Sequence, residues 1–279
     1  MVESVAAAAV PFILAGLGGL LSEQAGVLNI SLEGCISLGA FTTALLITLG
    51  VSAPLAVCGA LFLGALFGLL LSGIHMALKA NLFIAGMGIN ILIPSLSGLI
   101  SNGIWGHKGT LRIAGNYDLS PIPWLMIPLA LLFTLVIRRS DLGIRFRAAG
   151  LAPKLLNERG ISPNRVKSSA LAISSAMASL AGAFLVMRVE AYVPGMSSGR
   201  GWIALVMIWL GFRHSLGILI SAYFFSLIII ISNMAQGSIP LPPAILKTLP
   251  YTAALIAFVI ASAKRSMPGF PRQQHGQGF

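Results

Sequence analysis

The chain has 279 residues, of which 57% are hydrophobic and only 9% charged, with a mean hydropathy of +0.92. A soluble domain carries about 25% charged residues. A water-facing surface this poor in charge would aggregate, and a disordered chain needs the opposite balance of high charge and low hydrophobicity. Composition therefore excludes both and leaves a polytopic membrane protein, read as all-α from the helix-length apolar runs that follow.

Nine stretches approach the about 20 apolar residues that a helical span needs. They run roughly over 4–22, 26–50, 53–78, 82–104, 122–137, 168–189, 201–212, 216–234 and 249–263. The start, Met1-Val2-Glu3, places no positive charge ahead of its apolar stretch, so the first span is expected to be retained rather than cleaved as a signal peptide. Segment 122–137 is short, with Trp124 suited to anchor one end at the interface. Segment 201–212 is too short for a full crossing and reads as a tilted, broken or re-entrant helix. The many glycines within spans, as in Gly16-Leu17-Gly18-Gly19 and at Gly64, Gly68 and Gly73, read as close helix packing. Cys35 and Cys58 lie in apolar runs without a CxxC pattern and suggest neither metal nor redox chemistry.

Charge sets the orientation. The net charge is +11, and eight of the 18 Lys and Arg residues lie between Arg138 and Lys167, with three more from Lys264 onward. A basic chain can signal nucleic acid, but clusters beside apolar spans mark cytoplasmic loops. We therefore expect no nucleic-acid partner. The segment 138–167 and the tail 264–279 are expected in the cytoplasm, and the nearly neutral loops 107–121 and 190–200 outside. The chain reads as one transmembrane domain over 1–279.

Three stretches depart from plain lipid-facing helix. The first, Ala25 to Gly34, places Asn29, Ser31 and Glu33 between Gly26 and Gly34 at the start of an apolar run. An acid at that depth is costly and is a functional-site hypothesis by default. Glu33 either lines a solute path or serves structure, capping a helix or pairing with a base. The second is the cytoplasmic segment. Pro153 suits a first helical turn and Gly160 a C-terminal cap, bounding Lys154-Leu155-Leu156-Asn157-Glu158-Arg159. Ser162-Pro163 restarts a helix. Leu155 and Leu156, exposed on so short an element, suggest a docking surface; a plain solvated connector is the alternative. The third is Gly199-Arg200-Gly201-Trp202, where an outer loop re-enters the membrane. Arg200 there could meet an anionic or carbonyl-bearing solute, or pair with Glu190.

The common catalytic signatures are missing. No GxxxxGK[ST], HExxH or EF-hand pattern occurs. The formal GxSxG match at Gly195–Gly199 lacks the α/β context of a nucleophile elbow. His75, His107, His214 and His275 are scattered and suggest no metal site.

Several of these motifs, in order, resemble the permease subunits of bacterial ABC importers. The branch is the one for branched-chain amino acids, simple sugars and nucleosides, and the likeness is greatest to nucleoside-type or riboflavin-type permeases. The resemblance rests on Glu23-Gln24-Ala25-Gly26-Val27-Leu28-Asn29-Ile30, Leu32-Glu33-Gly34, Phe146-Arg147-Ala148-Ala149-Gly150, Gly160-Ile161 and Asn164-Arg165-Val166. It continues through Leu180-Ala181-Gly182-Ala183, Gly199 to Leu205, and Ile239-Pro240 through Leu249-Pro250-Tyr251. Where the family carries Gly-Glu-Asn-Pro or similar, this chain has Gly150-Leu151-Ala152-Pro153, and Ser31 stands where glycine is common.

The resemblance implies a non-enzymatic, cofactor-free pore subunit of the bacterial inner membrane. It implies cytoplasmic ATP-binding subunits, a second permease (a copy or a homologue), an extracytoplasmic binding lipoprotein and surrounding membrane lipid. The implied cargo is a purine nucleoside or riboflavin. The implied solute path holds Asn29, Ser31, Glu33, Arg200 and Trp202. The implied ATPase-coupling segment holds Arg147, Ala148, Gly150, Pro153, Lys154, Leu155, Leu156, Arg159 and Gly160. An ion-gradient-driven secondary transporter and a simple-sugar permease are the alternatives.

Overall fold

The computed structural model describes residues 1–105, 110–113, 115, 117–236, 248–256 and 259. Ten helices follow in order: α1 (Val2–Gln24), α2 (Leu32–Thr48), α3 (Ala53–Ala77), α4 (Leu82–Trp105), α5 (Ile122–Arg139), α6 (Asp141–Leu151), α7 (Pro153–Glu158), α8 (Pro163–Val189), α9 (Arg200–Leu210) and α10 (Ser215–Ala235). Residues 248–256 are also helical. Two short strands, β1 (Leu111–Arg112) and β2 (Ala191–Tyr192), pair antiparallel, so the two loops expected outside meet at one end of the molecule.

Six described helices are long and apolar enough to cross a bilayer: α1, α3, α4 up to Ile104, α5, α8 and α10. The other three candidate spans are of a different kind. Instead of a span over 26–50, α2 has 17 residues and begins at Leu32; α9 has 11. Of 249–263 only 249–256 and 259 lie among the described residues, and the tail 264–279 lies outside them. The late start of α2 has a local cause. Gly26 adopts φ +77°, which ends the preceding helix. The Asn29 side chain then takes the Ser31 N–H that a helix would have used.

Burial orders the bundle. In α1, 78% of the apolar window is buried, against 22% in α4 and α5, so α1 is the central staff and α4 and α5 are peripheral. An all-round apolar helix suits either such a central position or a lipid-facing one, and the peripheral α4 and α5 take the second. Helices α5, α8, α9 and α10 pack on α1, while α2 and α3 pack on α8. Gly64 and Gly68 of α3 let it approach α8 closely: a Cβ at either would lie 2.8 Å from Ser175 O or 2.7 Å from Ala172 Cα.

Candidate functional site

Residues 25–31 form a non-helical turn that folds back into the bundle between α1 and α2. Backbone polar groups at such depth need protein partners, because lipid offers none. Asn29, fully buried, ties the turn to its neighbours. Its Nδ2 donates to Ser174 Oγ at 3.0 Å and Ser175 Oγ at 2.9 Å in the middle of α8. Its Oδ1 accepts from Ser31 N at 3.0 Å and from Ser31 Oγ at 2.6 Å. Its backbone N–H donates to Ser22 Oγ at 3.1 Å. Asn90 of α4 holds the turn from the other side. Its Nδ2 donates to Ile30 O at 2.8 Å and its Oδ1 accepts from Gly34 N at 2.7 Å.

Glu33, in the first turn of α2, faces the first turn of α9. Its Oε1 accepts from Gly199 N and its Oε2 from Gly201 N, both at 2.7 Å. The carboxylate thus sits at the N-termini of two short helices, where their dipoles favour negative charge. Both glycines are needed. Gly199 caps α9 at φ +73°, and a Cβ at Gly201 would lie 2.6 Å from Glu33 Cα. The tripeptide Gly199-Arg200-Gly201 is therefore the seat of this junction.

Arg200 pairs with neither Glu190 nor Glu33. Its Nη1 donates to Met196 O at 2.8 Å and Ser197 O at 3.2 Å, tying down the loop that enters α9. Ser37 Oγ donates to Ser197 Oγ at 2.9 Å, and Tyr251 Oη donates to Ser198 O. Beside this loop lies a cavity of about 230 Å³ lined by Ser198, Arg200, Ile203 and Tyr251, with Ser232 and Asn233 of α10 opposite. Trp202 is 37% exposed on α9.

Of the residues expected on a solute path, the structure brings Glu33 and Arg200 together at the α2–α9 junction. Asn29 and Ser31 are buried instead: Asn29 turns toward α8, and the Ser31 hydroxyl bonds to Asn29. Sequence reasoning overlooked Ser174, Ser175 and Asn90. The available signal was a polar pair and an amide inside apolar helices, which lipid tolerates only when they are partnered.

At the cytoplasmic segment the short helix expected between Pro153 and Gly160 is present, separate from the helix before it. α6 ends at Leu151, Ala152 leaves helical geometry, and α7 starts with Pro153 in its first turn. Gly160 adopts φ +74°. Leu155 is 52% exposed, but Leu156 turns inward and is 5% exposed, so the two leucines do not form one exposed pair. Lys154 and Arg159 are exposed. Ala148 is half-buried, and the α6 face carrying Gly150 packs on the re-entrant turn: a Cβ at Gly26 would lie 2.9 Å from Gly150 Cα.

The family described as branched-chain amino acid transport system / permease component matches residues 1–261. The chain is similar to the guanosine ABC transporter permease protein NupQ of Bacillus subtilis, with 28% identity over 89% of this chain and 88% of that protein. It is 31% identical, over 85% of this chain and 78% of the other, to TsgC13 of Haloferax volcanii, provisionally described as a glucose ABC transporter permease. Among solved structures it is similar in fold to a chain of PsaBC from Streptococcus pneumoniae in complex with Fab, with a TM-score of 0.55, 15% identity, and 95% of this chain and 92% of that one covered.

Proposed function

The chain belongs to the branched-chain amino acid transport system / permease component family, and from that premise we propose that it forms one half of the pore of an ATP-driven importer for a purine nucleoside. It is a multi-pass protein of the bacterial inner membrane. The proposed assembly adds a second permease, cytoplasmic subunits that bind and hydrolyse ATP, and an extracytoplasmic binding lipoprotein. The chain itself catalyses no chemical step. In this reading the whole of 1–279 is one permease domain, with α2, α9 and the C-terminal 249–263 segment completing nine membrane segments.

The observation that carries the proposal is the α2–α9 junction. Two helices too short to span meet N-terminus to N-terminus at Glu33, next to a cavity walled by Arg200 and Tyr251. Discontinuous helices of this kind place polar helix termini inside a membrane, where a polar solute can be handled. An aromatic hydroxyl, a guanidinium and serine and asparagine side chains suit the edges of a purine and the hydroxyls of a ribose. Asn29 and Ser31 then act by holding the junction against α8. Glu33, Arg200 and Trp202 border the path.

The coupling segment 138–167 completes the mechanism. The ATP-binding subunit docks on α7 through Leu155 and the exposed Leu151, with Lys154 and Arg159 steering the approach. Movement of α6 passes through Gly150 to Gly26, and so to the turn that carries Asn29 and Glu33.

The test is uptake of labelled guanosine by cells expressing the permease with its partners. Excess unlabelled guanosine, riboflavin or glucose serves as competitor. Competition by guanosine alone supports the nucleoside reading. Competition by glucose supports the second reading, which the Haloferax relative favours. Inhibition by ATP depletion, with resistance to an uncoupler, supports the ATP-driven class; the reverse pattern contradicts it.

A further inference from the structure

A second cavity, of about 360 Å³, opens at the end of the bundle that carries the cytoplasmic segment. Arg138, at the last turn of α5, and Arg147, on α6, stand on its rim, with Arg213 and His214 from the turn between α9 and α10. Leu20, Ile137, Phe212 and Leu216 wall it below.

The chain is built to gather these bases. Gly143 packs directly on the backbone of Ile137, folding α6 back across the end of α5. Arg147 then reaches back, its Nε donating to Gly143 O and its Nη2 to Arg138 O, both at 3.4 Å. The Arg138 guanidinium lies 3.4 Å from His214 Nε2. Phe212 and Arg213 adopt φ +54° and +58°, a conformation L-residues rarely take, and this turn presents Arg213 and His214 at the rim. Glu23 answers Arg213 alone. No carboxylate lines the cavity, so Arg138 and Arg147 carry positive charge without a counter-ion among the described residues.

From this we infer an anionic-phospholipid site: Arg138 and Arg147 bind the headgroup phosphate while an acyl chain follows Leu216 along α10. Both halves of the ligand have a match. A phosphate fits paired guanidinium groups, and 41%-exposed Leu216 and 71%-exposed Ile220 continue the apolar wall out toward the lipid. Basic pockets between helices at the cytoplasmic interface recognise anionic headgroups. A soluble anion would gain nothing from the apolar wall. A protein partner would have to reach into a cleft of about 360 Å³ between the end of α5 and the start of α10.

The test uses the purified full-length chain and native mass spectrometry, with phosphatidylglycerol and phosphatidylcholine of equal chain length added in turn. Wild type is expected to retain phosphatidylglycerol preferentially. Arg138→Gln with Arg147→Gln should lower that retention about thirtyfold and leave phosphatidylcholine unchanged. Arg138→Lys with Arg147→Lys should keep most of it, which separates charge from folding. Equal retention of the two lipids by wild type would overturn the site, whether or not the glutamine variant folds. Displacement of phosphatidylglycerol by low-millimolar inorganic phosphate would also overturn it, in favour of a free-anion site.

Discussion

The re-entrant turn 25–34 and the cytoplasmic segment 138–162 are both short, glycine-bounded breaks between helices, yet they treat polarity in opposite ways. In the turn, the polar side chains of Asn29, Ser31 and Glu33 are each committed to named partners. In the cytoplasmic segment the charged side chains of Lys154, Glu158 and Arg159 point outward. Water explains the difference. Where it is excluded, an unpaired polar group costs several kcal/mol and must be answered by protein. Where it is present, charge is inexpensive and free to orient the chain and steer a partner. The two regions touch through Gly26 and Gly150, so a satisfied, rigid element lies directly behind an exposed one.

The comparison predicts unequal sensitivities. The largest effect is expected at Asn29. Asn29→Ala strands the Ser174 and Ser175 hydroxyls and the Ser31 N–H, and an unpaired buried group costs about 1–3 kcal/mol. We expect a loss of about 3 kcal/mol or more, read as a lower thermal midpoint in detergent; an unchanged midpoint would remove the contrast. Next comes Leu156. Leu156→Ser should destabilise the chain by about 2–3 kcal/mol, the worth of a buried leucine. Leu155→Ser, on the exposed side, should leave the midpoint within about 0.5 kcal/mol and instead weaken co-purification of the ATP-binding subunit about fivefold. Equal behaviour of the two variants would show that α7 has no distinct inner and outer face. The smallest effect is expected for Lys154→Ala with Arg159→Ala. Co-purification at physiological salt should fall about twofold or less, because exposed charges are screened there. A larger loss would mean that charge, rather than Leu155, holds the dock.

Much of this was legible in the chain. Low charge and long apolar runs gave the membrane class, and the basic cluster at 138–167 gave an expected orientation; the β1–β2 pairing adds that the two loops expected outside share one end of the molecule. The stretch 25–34 was visible as irregular because polar residues alternate between glycines. What could not be read was where those polar groups find partners. Ser174 and Ser175 lie about 145 positions away from Asn29, and no local pattern announces a bond of that range. The start of α2 was misplaced for the same reason, since apolarity over 26–50 says nothing of a turn held by side-chain hydrogen bonds. Leu155 and Leu156 are alike in type, and only tertiary packing tells which one turns inward. The alternatives for Glu33 stayed open because a path-lining acid and a helix-capping acid look identical in sequence.

The central claim is that Glu33 joins α2 to α9 and that transport depends on this joint. Glu33→Gln tests it most directly, because the amide keeps the shape but can accept from only one of Gly199 N and Gly201 N. The measurement is cargo uptake by the assembled complex in proteoliposomes, alongside the fraction of permease recovered with its ATP-binding partner. The account predicts that assembly persists while uptake falls about tenfold, the worth of one charge-assisted hydrogen bond. Normal uptake by an intact Glu33→Gln complex would contradict it.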